Sequence, residues 1–256
     1  MFSFLFGICF GSFANVLIYR LPQNLEFANS RSKCITCSQV LGLFDLIPIA
    51  SYIFLRGKCR HCGAFISFIY PFVEVVCGVL FVLASFFFPL YTLIPVSLIL
   101  FMLLVISAID YLTQEIFDGT IAALGIIGVL WVIASLLFGD AIPYAPSWYD
   151  AIIGAIAGGL PLFVIDRICL LVLKKDGFGY GDVKLMIAAG IFLGWQLTVL
   201  AFLLAFVSGG VAAAILMFTG KLKRGVYIAF GPFLALGSVI SLFVGEQIIY
   251  SYFSLL

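Results

Sequence analysis

The sequence predicts an all-α polytopic membrane protein of about eight transmembrane helices, with a small cytoplasmic zinc-ribbon-like loop. Three observations carry this. Hydrophobic residues make up 64% of the chain and charged ones only 10%, and mean hydropathy is +1.27, whereas soluble domains carry about a quarter charged residues. Several apolar runs reach the ~20 residues needed to cross a hydrocarbon core. The Lys and Arg residues gather in alternate loops, as the positive-inside rule requires.

The expected spans lie near 1–19, 68–89, 92–110, 118–138, 150–173, 182–194, 196–219 and 226–253. Residues 1–19 hold no basic residue and Arg20 follows at once, the order of an uncleaved first helix. Arg31, Lys33, Arg56, Lys58 and Arg60 fall in the first loop, Lys174, Lys175 and Lys184 beside a glycine-rich loop, and Lys221, Lys223 and Arg224 before the last span. The stretch 139–150 holds none. The basic loops are therefore cytoplasmic and both termini face outward. Arg167 alone lies inside a span, near its basic end, where it can snorkel. The expected organisation is a first helix (1–19), a cysteine-rich loop (20–67) and a transmembrane core (68–256). Lipid surrounds the core, and nothing in the chain calls for a nucleic-acid partner.

The loop contains Cys34-Ile-Thr-Cys37 and Cys59-Arg-His-Cys62. Two such knuckles can set four thiolates tetrahedrally around zinc and order a loop too short to build a core. Two disulfides or four free thiols are the alternatives, and a cytoplasmic location disfavours the disulfides. The apolar segment 46–55 either lies along the membrane or forms the loop's own small core.

Among the acidic residues at span edges, Asp110 ends the third span and Asp182 opens the sixth after GFGYG. Both fall at cytoplasmic helix ends, so they can meet across the bundle. Two carboxylates in a poorly solvated site share a proton, and such a pair can hydrolyse a peptide bond by general acid–base catalysis. Gly179 and Gly181 leave room for a substrate backbone, and the helix dipole favours the anion at Asp182, leaving Asp110 as proton carrier. Simpler roles stand beside this one. Asp182 can cap its helix and pair with Lys184 or Lys175, while Asp110 and Asp118 can mark a turn. An ion transporter also uses membrane carboxylates and a glycine-broken helix, but it predicts an inverted repeat that the chain lacks.

The blocks FGSFANVLIYRLP (10–22), SRSKCITC (30–37), PIASYIFLRGKCRHC (48–62), SFIYPFVEVVCG (67–78), AIDYLTQEIFDG (108–119), GFGYGDVKL (177–185) and FGPFLALG (230–237) resemble, in order, the bacterial type IV prepilin peptidases. The resemblance covers nearly the whole chain. It implies an aspartyl endopeptidase that cuts the basic leader from prepilins and pseudopilins at the cytoplasmic face of the inner membrane. It also implies N-methylation of the new terminus with S-adenosylmethionine, for which the chain has no dinucleotide-type glycine fingerprint; a peptidase without methyltransferase activity is the alternative. The family's catalytic pair maps to Asp110 and Asp182, with Asp118 supporting, as do Gly179, Gly181 and Lys184. Cys34, Cys37, Cys59 and Cys62 match the loop of the bifunctional members. Phe117-Asp118 stands where the family usually has Pro-Asp. The first-loop region and the polar face of the first helix, with Asn15 and Arg20, are the best candidates for the methylation site. Glu26, Asp45, Glu115 and Asp176 are expected to meet the basic leader.

Overall fold

The computed structural model describes residues 2–26, 31–138, 145–174, 177–220 and 228–254, with the side chains of Phe138 and Leu173 excepted. Lys175, Asp176, Lys221, Lys223, Arg224 and residues 139–144 of the stretch 139–150 lie outside them. The described chain is helical: α1 (Phe2–Arg20), α2 (Ala50–Phe54), α3 (Ile69–Phe87), α4 (Leu93–Thr113), α5 (Asp118–Phe138), α6 (Trp148–Leu173), α7 (Tyr180–Phe218) and α8 (Gly231–Ser254). Seven of these are long and apolar enough to cross a membrane. The chain forms two compact units, Met1–Val105 and Ile106–Leu256.

In the first unit, α1 and α3 run antiparallel because small residues let their backbones touch. A Cβ on Gly7 would sit 2.7 Å from the Gly78 Cα, and one on Gly11 would sit 2.6 Å from the Glu74 Cα. Gly7 and Gly11 form the GxxxG spacing that favours close helix packing in lipid. Asn15 Nδ2 donates to the Tyr70 carbonyl at 2.9 Å, fastening the same pair one turn further on. Asn15 is therefore an interhelical tie.

In the second unit, α7 packs against α5, α6 and α8. It accounts for two of the expected spans. Gly194 (φ 74°, ψ 172°) breaks the helix, and Gly158 abuts both Met186 and Thr198. Those two residues would stand ~18 Å apart along a straight helix. The chain therefore reverses at Gly194 into arms 180–193 and 195–218, which reproduces the short sixth span and the seventh. Among the described residues, seven helices are thus long and apolar enough to span a membrane, where the sequence predicted about eight, and α7 takes the place of two of the expected spans.

Candidate functional site: two aspartates and a cysteine cluster

Asp110, in the last turn of α4, and Asp182, in the first turn of α7, are both buried and both belong to the second unit. The Asp110 carboxylate lies within electrostatic range of Asp182. Asp110 Oδ2 accepts the backbone N–H of Gly231 at 2.8 Å, at the N-terminus of α8. Asp182 follows Gly179, the N-cap of α7, and a Cβ on Gly179 would lie 3.6 Å from its Oδ2. Each carboxylate therefore faces a helix N-terminus, where backbone N–H groups and the dipole favour an anion. The dipole argument that singled out Asp182 applies equally to Asp110, so it does not divide their roles.

Gly231 is a site residue that sequence reasoning missed. A Cβ there would come within 2.6 Å of Asp110 Oδ2, so only glycine lets the N–H approach. Its signal was a Gly-Pro step opening an apolar span after a basic loop. Gly181 has a different packing role, since a Cβ there would meet Ile116 Cβ at 2.9 Å. It lets the connection before α5 close on the start of α7.

Lys184 Nζ pairs with Asp118 Oδ1 at 2.6 Å. This ion pair joins the starts of α5 and α7. Below it runs a cleft of about 340 Å³, lined by Ile121, Ala122, Gly125, Ile187 and Ile191 among others. Lys184 projects about 200° around α7 from Asp182, so the cleft lies on the opposite side of α7 from that carboxylate.

Asp166, inside α6, is a second residue that sequence reasoning missed. It is buried and holds the glycine-rich loop. Its Oδ1 accepts the N–H groups of Gly177 (3.1 Å) and Phe178 (3.3 Å), and its Oδ2 pairs with Arg167 at 2.6 Å. The Phe178 ring lies 5.1 Å from the Phe230 ring, and both contact Phe206. Phe230 precedes Gly231. Asp166 is thus connected through the loop and this aromatic cluster to the group that contacts Asp110.

The four loop cysteines converge, with their Sγ atoms all within 4.8 Å of one another. The two knuckles repeat one geometry. Cys34 N bonds Gln39 O and Ser38 N bonds Cys34 O, while Cys59 N bonds Ala64 O and Gly63 N bonds Cys59 O. Ser38 and Gly63 take the positive φ (56° and 70°) that closes each turn. Zn–S bonds of ~2.3 Å in a tetrahedron require sulfurs ~3.8 Å apart, and Cys34 Sγ to Cys62 Sγ is 3.9 Å. The cysteines are free thiols. Backbone N–H groups of Cys37 and Thr36 draw the Cys34 thiol down to about 6. The Cys62 thiol, despite the Ala64 N–H, is pushed up to about 11 by desolvation and its three neighbours. Four sulfurs this close ionise together only around a cation, so the donor set fits zinc.

Three further charged residues in and beside the loop are engaged. Asp45 Oδ1 accepts Arg60 Nε at 2.7 Å, so its charge is already matched within the loop and is poorly placed to meet a basic leader. Glu74 Oε2 accepts the Ile49 N–H at 2.7 Å. Arg20 NH1 donates to the Glu26 carbonyl at 3.1 Å.

Residues 5–88 match a family model described as the Bacterial Peptidase A24 N-terminal domain, and residues 97–214 match the Type IV leader peptidase family. Several curated proteins named prepilin leader peptidase/N-methyltransferase are similar along most of their length. One from Klebsiella pneumoniae is 40% identical over 76% of this chain and 85% of its own. One from Bacillus subtilis is 32% identical over 97% and 96%, and one from Stutzerimonas stutzeri is 34% identical over 96% and 91%. No solved structure matches the chain.

Proposed function

Because this chain belongs to the type IV leader peptidase family, we propose that it cleaves the leader from prepilins and pseudopilins and N-methylates the terminus so exposed, with Asp110 and Asp182 as the catalytic pair. The observation that carries the assignment is two buried carboxylates, each at a helix N-terminus and within electrostatic range of one another, inside one unit. One carboxylate takes a proton from the attacking water while its partner protonates the scissile carbonyl oxygen. The collapse of that adduct then returns a proton to the leaving amine, and the pair titrates as a unit. The reaction lies at the cytoplasmic face of the bacterial inner membrane. There the basic leader stays in water while the apolar segment of the substrate enters from the bilayer.

Zinc is the structural ion of the cysteine loop, held by Cys34, Cys37, Cys59 and Cys62. It would fix two hairpins that have no core of their own. S-adenosylmethionine is the methyl donor; when bound it supplies an electrophilic methyl group to the new amine. The chain's part is to hold that donor and present the amine, and a loop cavity of about 350 Å³ has the size for the task.

The test uses purified enzyme in detergent, a prepilin substrate, and Asp110→Asn and Asp182→Asn variants. Both variants should lose cleavage by at least ~100-fold while eluting as the native protein does. Cleavage retained by both would remove the dyad. Bound zinc should measure about one equivalent and fall on Cys59→Ser substitution. Zinc undetected in the native protein would remove the metal assignment.

A further inference from the structure

The loop of the first unit encloses a cavity of about 350 Å³ between the short 3-10 helix Leu43–Leu46 and α2, lined by Phe44, Ile47, Ser51, Phe54, Leu55 and Arg60. This is the lower end of the ~300–1,000 Å³ range of small-ligand sites, right for one nucleoside and too small for a dinucleotide. Phe44 is 76% exposed and Phe54 85%, so two aromatic rings are left open beside the cavity. At its edge the Arg60 guanidinium is fixed through Nε by Asp45. Its planar face can stack and its other N–H groups can donate.

The floor of the cavity is strained. Ile49 adopts φ 60°, ψ −49°, and Ala50 N bonds Pro48 O at 2.5 Å. This is the positive-φ γ-turn, a rare conformation that is most unfavourable for a β-branched residue. Strain of this kind costs about 1–3 kcal/mol and persists only where the surroundings impose it. The buried Glu74 carboxylate imposes it here, gripping the Ile49 N–H from α3. Ile47, Ala50 and Ser51, on either side of this turn, all line the cavity. A backbone bent against its preference, by a carboxylate buried in a helix pair, has shaped that wall.

The geometry points to this cavity as the seat of the adenosyl portion of the sulfonium methyl donor. The purine packs against Phe44 and Phe54, Arg60 lies at the polar end, and Glu74 acts as the positioning residue that preorganises the floor. The inference rests on the methyl-transfer reading above and names its site. It separates the two chemistries along the chain, with the methyl donor in Met1–Val105 and the aspartates in Ile106–Leu256.

The experiment uses the full-length protein in detergent. It measures equilibrium binding of S-adenosylhomocysteine, maps ultraviolet crosslinking of radiolabelled S-adenosylmethionine by peptide analysis, and follows prepilin cleavage in parallel. Phe54→Ala should weaken binding about tenfold, the loss of one aromatic stacking partner, with cleavage unchanged, and label should fall in the peptide spanning 43–60. Glu74→Gln, whose amide oxygen can still accept the Ile49 N–H, should bind better than Glu74→Leu. Wild-type binding by Phe54→Ala, or label mapped to another segment, would overturn the site. Loss of binding and cleavage together would also overturn it, since the ring would then be seating the chain on the bilayer. A native protein that cleaves but neither binds the donor nor methylates overturns the methyl-transfer reading itself, and the site with it.

Discussion

Asp110 accepts a hydrogen bond from the backbone nitrogen of Gly231 across 121 positions of sequence. One of the two aspartates is therefore aimed by the start of the last helix, through a contact that leaves no space for a side chain.

Gly231→Ala should abolish most cleavage. The new Cβ would stand 2.6 Å from Asp110 Oδ2, so the carboxylate or α8 must move. A displacement of about 1 Å at a reacting group can cost ~100-fold in rate. Cleavage kinetics on a variant that still elutes as the native protein check this. A rate within a factor of about three of the native one would show that Asp110 tolerates the shift.

The Lys184–Asp118 pair is exposed at both partners, and such pairs contribute about 0–1 kcal/mol. Lys184→Gln should therefore slow cleavage only by roughly threefold. The charge-exchanged double variant, Asp118→Lys with Lys184→Asp, should recover much of that loss. Failure of the exchange to recover activity would mean that Lys184 meets the substrate in its own right. A double-mutant cycle separates the two.

Asp166→Ala should destabilise by about 1 kcal/mol, because the N–H groups of exposed Gly177 and half-buried Phe178 lose their acceptor. Activity should fall further than stability does, since the loop leads straight into Asp182. Thermal unfolding and cleavage assays on the same preparation give both values. Asp166→Asn should be milder on both counts, since its amide oxygen can still accept.

Asp45 offers a pH dependence outside the membrane. Desolvation pushes its carboxyl up, but the Arg60 and Gly42 hydrogen bonds more than offset this and hold it below the usual carboxylate range. The folded pKa is depressed, so this stabilisation is complete above the unfolded value. It is lost as pH falls through the folded one. Because Arg60 is half-exposed, the contribution is at most about 1 kcal/mol. Amide exchange at Gly42, whose N–H bonds Asp45 Oδ2, should be protected at about pH 5 and lose that protection only as pH falls below the usual carboxylate range, after correction for intrinsic rates. Asp45→Asn should remove the difference.

The paired knuckles and the two span-edge aspartates were legible because each carries its chemistry in a short local motif. CxxC specifies a turn, and GxGD specifies a bent backbone ahead of a helix. The span pattern was legible for the same reason, even at Gly194, where an apolar run too long for one crossing carries a glycine at its break. Gly231 and Asp166 were not. Their roles arise where α8 meets α4 and where α6 meets the glycine loop, and neither meeting leaves a periodicity in the chain. The same applies to Ile49, whose strained turn is set by a carboxylate on another helix. Asp118 was readable as a supporting residue, but its pairing with Lys184 depends on how α5 packs on α7.

The reversal at Gly194 has a consequence for the surrounding lipid. The arm at 180–193 rises only ~21 Å before turning, against a hydrocarbon core of ~30 Å. Lipid beside it must thin, or α5 and α6 must shield the turn from it. Where lipid rather than protein meets the turn, the short arm is mismatched with thick bilayers, and acyl-chain length then acts on the enzyme without touching either aspartate.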